Sequence, residues 1–311
     1  MTNDPQTEEL RALLERLTPQ PAKVAAYLGD TYFQETVEHL DRFDLDAEEF
    51  ARSHSILLLK PDAIVARALE PTLQWLADND FQVVTSARIP VDRHLARALW
   101  YFAWNIASPE RRRLADLLVG ISEVLVLLVR GRDGQVPVPI RLAESKGPTD
   151  PRKRVPGQLR YLLGRHNYLL NLVHSPDDPA DVLRELSVYF DERTRTVVLS
   201  QAGIGGERSA ETKILAEQLY AATPARGFDR AEATARILRD VARSGATVGS
   251  EFDPVSDSDC ARLLYAAWER DLDLDPWSVI VLGSHVLPMR TGTGAQMLRP
   301  VSAHDWLEAG L

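Results

Sequence analysis

The stretch HSILLLKPD, residues 54–62, decides the fold because the pattern of the chain changes there. Residues 1–52 read as helical, with apolar side chains spaced three and four positions apart. The apolar run at 56–59 is continuous and short, and Pro61 ends it, which predicts a buried strand. We therefore expect a new domain to begin near Ser53.

Strand and helix patterns alternate after this point. We predict strands at 55–59, 81–89, 122–130 and 168–173, and helices at about 65–78, 92–104, 109–119 and after His174. This order is β-α-β-β-α-β with extra helices, the split pattern of ferredoxin-like sheets. The predicted fold class is α+β, an antiparallel sheet with helices packed on one face.

The domain is predicted to span residues 53–192, between a helical N-terminal extension (1–52) and a mostly helical C-terminal extension (193–311). The C-terminal helices are predicted at about 207–222, 229–243 and 257–271. Two apolar runs, RTVVLS at 195–200 and SVIVLGS at 278–284, predict strands, so we expect this extension to be α/β.

Composition narrows the class of protein. Of the 311 residues, 45% are hydrophobic and 26% charged, which is ordinary for a soluble globular protein. The net charge of -9 disfavours a general nucleic-acid binder. The N-terminus lacks signal-peptide features, and no apolar run is long enough to cross a membrane. The single Cys260 excludes an internal disulfide and suits a reducing compartment, so a cytoplasmic protein is expected.

One region departs from the acidic average. Residues 141–165 contain two acidic residues and seven basic ones, namely Arg141, Lys146, Arg152, Lys153, Arg154, Arg160 and Arg165. The stretch is either a solvated basic loop or a pocket for a small polyanion such as a nucleotide phosphate tail. Composition alone leaves both open.

His174 lies just before a predicted helix, which Asp178 can cap and Pro179 can begin. A helix N-terminus favours an anion beside the ring and helps to keep the imidazole neutral, the form that can attack phosphorus. Glu185, on that helix, could orient the ring. Alternatively, Glu185 and Asp181 are solvent-facing charges on an amphipathic helix, and spacing alone favours this second interpretation.

Four motifs occur in order along the domain: KPDA at 60–63, GPTDP at 147–151, PGQLR at 156–160 and NLVH at 171–174. Together they resemble the signatures of the nucleoside diphosphate kinase family. The resemblance covers roughly residues 53–192. It implies a ping-pong transfer of the γ-phosphate of ATP, or another nucleoside triphosphate, to a diphosphate, with Mg²⁺ on the nucleotide.

The resemblance also implies roles for individual residues. His174 matches the phosphate-accepting histidine, Glu185 the carboxylate that orients it, and Lys60 and Asn171 the pair that binds the sugar hydroxyls. The remaining implied nucleotide-binding residues are Thr149, Arg160, Tyr101 and Arg141, with Lys146 as a substitute for Arg141. The family's Gly-Ser after the histidine is replaced by Ser175-Pro176, and Ser175 could substitute for that serine.

Two loops outside the resemblance could also bind a ligand. LSQAGIGGERS at 199–209 reads as a plain turn or a phosphate cradle, although it matches no standard glycine-rich motif. The second loop is HVLPMRTGTGAQML at 285–298, which contains His285 and Arg290. It is predicted to be either a surface loop or a lid.

The predicted function is a phosphotransferase that works through phospho-His174, with a nucleoside diphosphate or a specialised acceptor. The alternative is a nucleotide-binding module with reduced turnover that uses its extensions to bind a partner. No nucleic-acid or membrane partner is expected. Homo-oligomer formation, which the resemblance implies, stays open because the extensions could block or replace the family's contacts.

Overall fold

A computed structural model describes residues 5–164 and 167–311 of the chain. Residues 5–52 are mainly helical, as predicted. Their helices are α1 (Pro5–Leu17), α2 (Pro21–Tyr27), α3 (Thr31–Asp41) and α4 (Ala47–Ser53). Helices α3 and α4 are capped by Asp30 and Asp46, whose side chains accept from the backbone amides of Phe33 and Glu49.

The sheet has four strands, β1 (His54–Leu59), β2 (Phe81–Ile89), β3 (Val124–Gly131) and β4 (Val173–His174). The strand order is β2-β3-β1-β4 and all neighbours are antiparallel, which confirms the ferredoxin-like prediction. Strand β4 is much shorter than the predicted run 168–173. Leu172, just before it, has a φ of 65°, which interrupts the extended backbone.

The helices of the domain are α5 (Pro61–Val65), α6 (Leu69–Asp78), α7 (Arg93–Leu99), α8 (Pro109–Val119), α9 (Val138–Lys146), α10 (Leu159–Leu162) and α11 (Pro179–Tyr189). The single helix predicted at 65–78 is split into α5 and α6 because Arg67 takes a left-handed conformation. The helix predicted at 92–104 ends at Leu99, and the chain continues as a 3₁₀ helix over Tyr101–Ile106. Helix α9 lies in a region predicted as a loop.

The C-terminal extension contains α12 (Glu192–Ile204), α13 (Ser209–Ala222), α14 (Arg230–Arg243), α15 (Asp257–Glu269), α16 (Pro276–Val286) and α17 (Ala303–Glu308). The two predicted strands are wrong, because RTVVLS lies in α12 and SVIVLGS in α16. Short apolar runs do not distinguish a strand from a buried helix. Asp191 and Asp275 cap these two helices, and α16 packs against α8, α14 and α15.

Helices cover both faces of the sheet, rather than one face as predicted. Ile56 and Leu58 of β1 pack into a core shared with α1, α3 and α11. Leu57 and Leu59 point the other way, into a core shared with α6 and α13. Both extensions therefore contribute to the cores of the sheet, and β1 is buried along its whole length.

Candidate active site

A cavity of about 830 Å³ opens where β1 and β4 end. Lys60 follows β1 directly, and His174 is the last residue of β4, which pairs with Leu58 of β1. Of the residues predicted from the sequence to form a site, those that line this cavity are Lys60, Thr149, Arg160, Asn171, His174 and Glu185. Tyr101 and Arg141 do not line it.

His174 and Glu185 form a hydrogen-bonded pair. The ring Nε2 lies 3.0 Å from Glu185 Oε1, and only 5% of Glu185 is exposed. A carboxylate can only accept, so Nε2 carries the proton and donates it. The interpretation of Glu185 as a solvent-facing charge is therefore wrong. Helix α11 that carries Glu185 is capped by Asp178, which accepts from the backbone amide of Asp181.

The other ring nitrogen of His174 faces an indole. Trp100 Nε1 donates to His174 Nδ1 at 3.3 Å, and the two rings meet edge-on. In the neutral ring, Nδ1 thus holds the lone pair, and a group that bonds to Nδ1 must displace Trp100. The aromatic residue next to the histidine is Trp100. Tyr101, the residue predicted from the sequence, is 59% exposed.

Lys60 is buried at the N-terminus of α5. Its Nζ donates to the carbonyl of Leu169 at 2.9 Å and lies 3.4 Å from Asp62 Oδ2. Burial lowers the pKa of Lys60, although Asp62 opposes this shift. Asn171 Nδ2 donates to the carbonyl of Tyr168. Lys60 and Asn171 both line the cavity.

Arg160 holds the GPTDP loop beside β4. It donates to the carbonyls of Gly147 and Val173 at 2.9 and 2.5 Å and to Thr149 Oγ1 at 3.3 Å. Gly147 has a φ of 92°, and a Cβ there would lie 2.6 Å from the Gln158 side chain, so only glycine fits. Burial lowers the pKa of Arg160 to about 9.

Lys146 is 4% exposed and reaches the segment after His174. Its Nζ donates to Ser175 Oγ at 2.7 Å and to the Ser175 carbonyl at 3.3 Å. Burial, with Arg160 nearby, lowers the pKa of Lys146 to about 7. In residues 5–164 and 167–311 no ion pair joins Lys146 or Arg160 to a carboxylate, so both are buried cations without a fixed counter-ion.

Ser175 does not bridge to the glutamate. It accepts from Lys146 and donates weakly to the Pro176 carbonyl, and within the described part of the chain no hydrogen bond connects it with Glu185. The second oxygen of Glu185 is buried without a partner.

Most of the described basic residues in the stretch 141–165 do not line the cavity, and Arg152 and Arg154 bind groups of the loop instead. Arg154 donates to the carbonyls of Pro148, Thr149 and Asn167, and Arg152 pairs with Asp150. Arg165 lies outside the described residues. Among the described basic residues of 141–165, only Lys146 and Arg160 line the cavity.

The N-terminal extension supplies one wall of the cavity through α2, which sequence reasoning missed. Lys23, 2% exposed, lies 2.8 Å from Asp178 Oδ2 and 2.9 Å from Asp181 Oδ2. The hydroxyl of Tyr27 donates to Asp181 Oδ1 at 2.5 Å. Burial alone would lower the pKa of Lys23, but the two carboxylates outweigh it and raise that pKa. Nothing in the local sequence around Lys23 indicates partners that lie 155 and 158 positions away.

A second wall comes from residues 288–302, which we call the C-terminal strap. Its backbone amides at Thr291 and Met297 donate to the carbonyls of Ile106 and Phe102, both at 3.0 Å. At its far end the Arg299 carbonyl accepts from Gln20 of the N-terminal extension. The strap therefore lies along the 3₁₀ helix that follows Trp100, and of the two predicted alternatives it fits the lid better than a free surface loop.

Two further properties concern the described residues only. No three His, Cys, Asp or Glu side chains converge there as a metal-binding group. No helix among them is both long enough and apolar enough to cross a membrane.

Comparison with known proteins identifies the domain. Residues 53–194 match the family model for nucleoside diphosphate kinase. The chain is 29% identical over 138 residues to nucleoside diphosphate kinase of Thermococcus kodakarensis, covering 44% of this chain and 75% of the relative. It is 28% identical to the enzyme of Pyrococcus furiosus, covering 44% and 81%. The Aquifex aeolicus nucleoside diphosphate kinase structure aligns with 23% identity over 45% of this chain and 95% of that one, with a TM-score of 0.38.

Residues 53–194 form a domain with a ferredoxin-like sheet that is similar to nucleoside diphosphate kinases, and the chain has additional residues on both sides of it.

Proposed function

We propose that this protein is a nucleotide-dependent phosphotransferase that moves the γ-phosphate of a nucleoside triphosphate through His174. The observation that carries the proposal is the His174–Glu185 pair, which fixes the proton on Nε2 and leaves the lone pair on Nδ1, where Trp100 Nε1 donates to it. In the first half-reaction Nδ1 attacks the γ-phosphorus and the bond to the β,γ-bridging oxygen breaks. The diphosphate leaves and the N–P bond remains.

In the second half-reaction an oxygen of the acceptor attacks the same phosphorus and the N–P bond breaks. Nε2 keeps its proton throughout, and Glu185 stabilises the positive charge that the ring gains when Nδ1 is phosphorylated. Phosphoryl transfer needs positioning and charge stabilisation more than covalent chemistry. Buried groups without fixed counter-ions, such as Lys146 and Arg160, are suited to that task.

A magnesium ion fits this site as a companion of the nucleotide. Lys60, Lys146 and Arg160 line the cavity with His174 and suit phosphate oxygens, and no three potential metal ligands converge among the described residues, so the phosphates rather than a protein ligand set would hold the ion. When bound there, Mg²⁺ supplies charge neutralisation. Lys60 and Asn171 would then contact the sugar hydroxyls, and Thr149 and Arg160 the phosphates.

We further propose that residues 1–52 and 193–311 act as extensions that shape the acceptor side of the cavity around the domain at 53–192. Lys23 and Tyr27 from one side and the C-terminal strap from the other line the same cavity as His174. A nucleoside diphosphate or a more specialised acceptor would have to fit between these walls.

A second candidate function is favoured by one contact. Trp100 hydrogen-bonds the nitrogen that would attack, which suits a nucleotide-binding module with reduced turnover. One experiment distinguishes the phosphotransferase from the binding module. The full chain is incubated with ATP, Mg²⁺ and a panel of nucleoside diphosphates, and new triphosphates are followed by chromatography. The phosphotransferase predicts new triphosphate and ping-pong kinetics. Nucleotide binding without transfer to any acceptor would favour the module.

The lowered pKa of Lys146 predicts a pH dependence of nucleotide binding. With a pKa of about 7 in the free protein, Lys146 becomes neutral as the pH rises above 7, whereas a bound phosphate favours the protonated form. The affinity should therefore fall by up to about tenfold per pH unit above 7, with uptake of one proton on binding. Titration calorimetry of a non-hydrolysable ATP analogue between about pH 7.5 and 8.5 measures both quantities.

The matched control is Lys146→Arg, whose guanidinium stays protonated over this range. The affinity of this variant should be nearly flat with pH. An equal pH dependence in both proteins would show that another group is responsible.

A further inference from the structure

Arg111 of α8 extends into the cavity without a carboxylate partner. Its guanidinium carbon lies 5.0 Å from the centre of the Tyr168 ring and 5.7 Å from that of Trp104. Its Nε and Nη1 atoms are buried and make no hydrogen bond with the residues that the structure describes. Ring contacts account for the position of the side chain, but they do not satisfy these two donors.

A second arginine reaches the same part of the cavity from the C-terminal strap. Arg290 forms an isolated antiparallel bridge with Ala107, four residues before Arg111. It also lines the cavity, and its Nη2 donates to the Gly294 carbonyl within the strap. No ion pair involves Arg111 or Arg290 in the described ranges 5–164 and 167–311. Burial lowers the pKa of Arg111, Tyr168 opposes this shift through its charge and a side-chain hydrogen bond, and the charge of Arg290 adds to the lowering.

These arginines extend the cationic lining beyond the part assigned to the phosphates. Lys60 is close enough to both Arg160 and Arg111 for their charges to lower its pKa. The cationic lining therefore includes Lys146 and Arg160 beside β4, Lys60 after β1, Arg111 of α8 and Arg290 of the strap. A buried guanidinium with unpaired donors is costly unless a negatively charged group meets it.

We propose that Arg111 and Arg290 form an anion subsite that binds a second negatively charged group, a phosphate or a carboxylate, on the substrate that His174 serves. This inference rests on the proposed function, because it assigns the substrate class of the same cavity. The preferred substrate is a small molecule with one anionic group at His174 and another under the strap. A neutral nucleoside moiety would leave Nε and Nη1 of Arg111 without an anionic partner.

Matched ligand pairs test the subsite with the full chain. Each pair differs by one anionic group: AMP against adenosine 3′,5′-bisphosphate, AMP against adenosine 2′,5′-bisphosphate, and UMP against orotidine 5′-monophosphate, which adds a carboxylate to the base. In calorimetry, at least one ligand with a second anionic group should bind about tenfold or more tightly than its parent, as expected for charge-assisted hydrogen bonds. The pair that shows the gain identifies whether a phosphate or a carboxylate is bound.

Variants assign that gain to the arginines. Arg111→Gln should remove the gain in affinity that the second anionic group gives and leave the affinity for the parent ligand nearly unchanged. Arg290→Gln tests the same subsite from an exposed position, without altering a buried side chain. Arg113→Gln is the control, because Arg113 lies exposed on the same helix and packs over Trp268. No advantage in any pair, or an advantage that both Arg111→Gln and Arg290→Gln retain, would overturn the proposal.

A separate readout distinguishes this inference from the proposed function. Phosphorylation of His174 by ATP is measured on the same preparations. Arginine-dependent discrimination between paired ligands without a phosphohistidine supports the subsite and contradicts the transferase. A phosphohistidine without discrimination supports the transferase and contradicts the subsite.

Discussion

Replacing His174 with alanine is expected to lower the turnover of phosphoryl transfer by a factor on the order of 10⁴ or more, because it removes the nucleophile that we propose for both half-reactions. Binding of the nucleotide should change far less, since Lys60, Lys146 and Arg160 remain in the cavity. Steady-state kinetics with ATP and the best acceptor measure the first effect, and calorimetry measures the second.

His94→Ala is the matched control for this experiment. His94 lies exposed on α7, the helix that ends just before Trp100, and it does not line the cavity. Its replacement should leave turnover nearly unchanged. Substantial turnover in His174→Ala would mean that the γ-phosphate passes directly to the acceptor.

Replacing Lys23 with methionine is expected to lower the free energy of unfolding by about 3–5 kcal/mol, the usual effect of breaking a buried ion pair from one side. The ammonium of Lys23 lies between Asp178 and Asp181, and Asp178 is fully buried. Without Lys23 the carboxylates of Asp178 and Asp181 face each other in a buried site. Urea unfolding followed by circular dichroism measures the loss.

Lys213→Met provides the comparison for that measurement. Lys213 forms an ion pair with Glu70 at 3.1 Å, but both side chains are about half exposed or more. Exposed pairs of this kind contribute about 0–1 kcal/mol. If the two variants lose similar stability, the buried network between α2 and α11 is not what attaches the N-terminal extension.

The central sheet could be predicted from the sequence because its strands leave a local signal, whereas the pairing of His174 with Glu185 was implied by the resemblance to nucleoside diphosphate kinases. The strand before Lys60 is a short apolar run ended by proline, and Asp178 and Pro179 begin the helix that carries Glu185. The strand-like run at 168–173 predicted that His174 lies at a strand end. The distance of 3.0 Å to Glu185 needed the folded chain, because spacing alone favoured a solvent-facing glutamate.

Tyr101 and Trp100 illustrate why the predicted site differs from the one that the structure contains. Both residues lie where α7 passes into a 3₁₀ helix, and this change of helical phase decides which of two adjacent aromatic residues meets His174. A sequence pattern with a single period cannot resolve such a junction. Lys146, weighed only as a substitute for Arg141, is the residue that reaches Ser175.

The extensions could be recognised from the sequence but not assembled from it. The apolar runs in α12 and α16 are as compatible with strands as with buried helices, and packing against α8, α14 and α15 decides for α16. The contacts of Lys23 and of the strap with the cavity join residues far apart in the chain. Their partners become visible only in three dimensions.

The phosphorylated intermediate provides the most direct test of the proposed function. The full chain is incubated with γ-labelled ATP and Mg²⁺, and the labelled protein is treated with acid or base before peptide mapping. A label that acid removes, that base leaves intact and that maps to the peptide containing His174 is the predicted result. No label on the wild-type protein, or equal labelling of His174→Ala, would contradict phosphoryl transfer through His174.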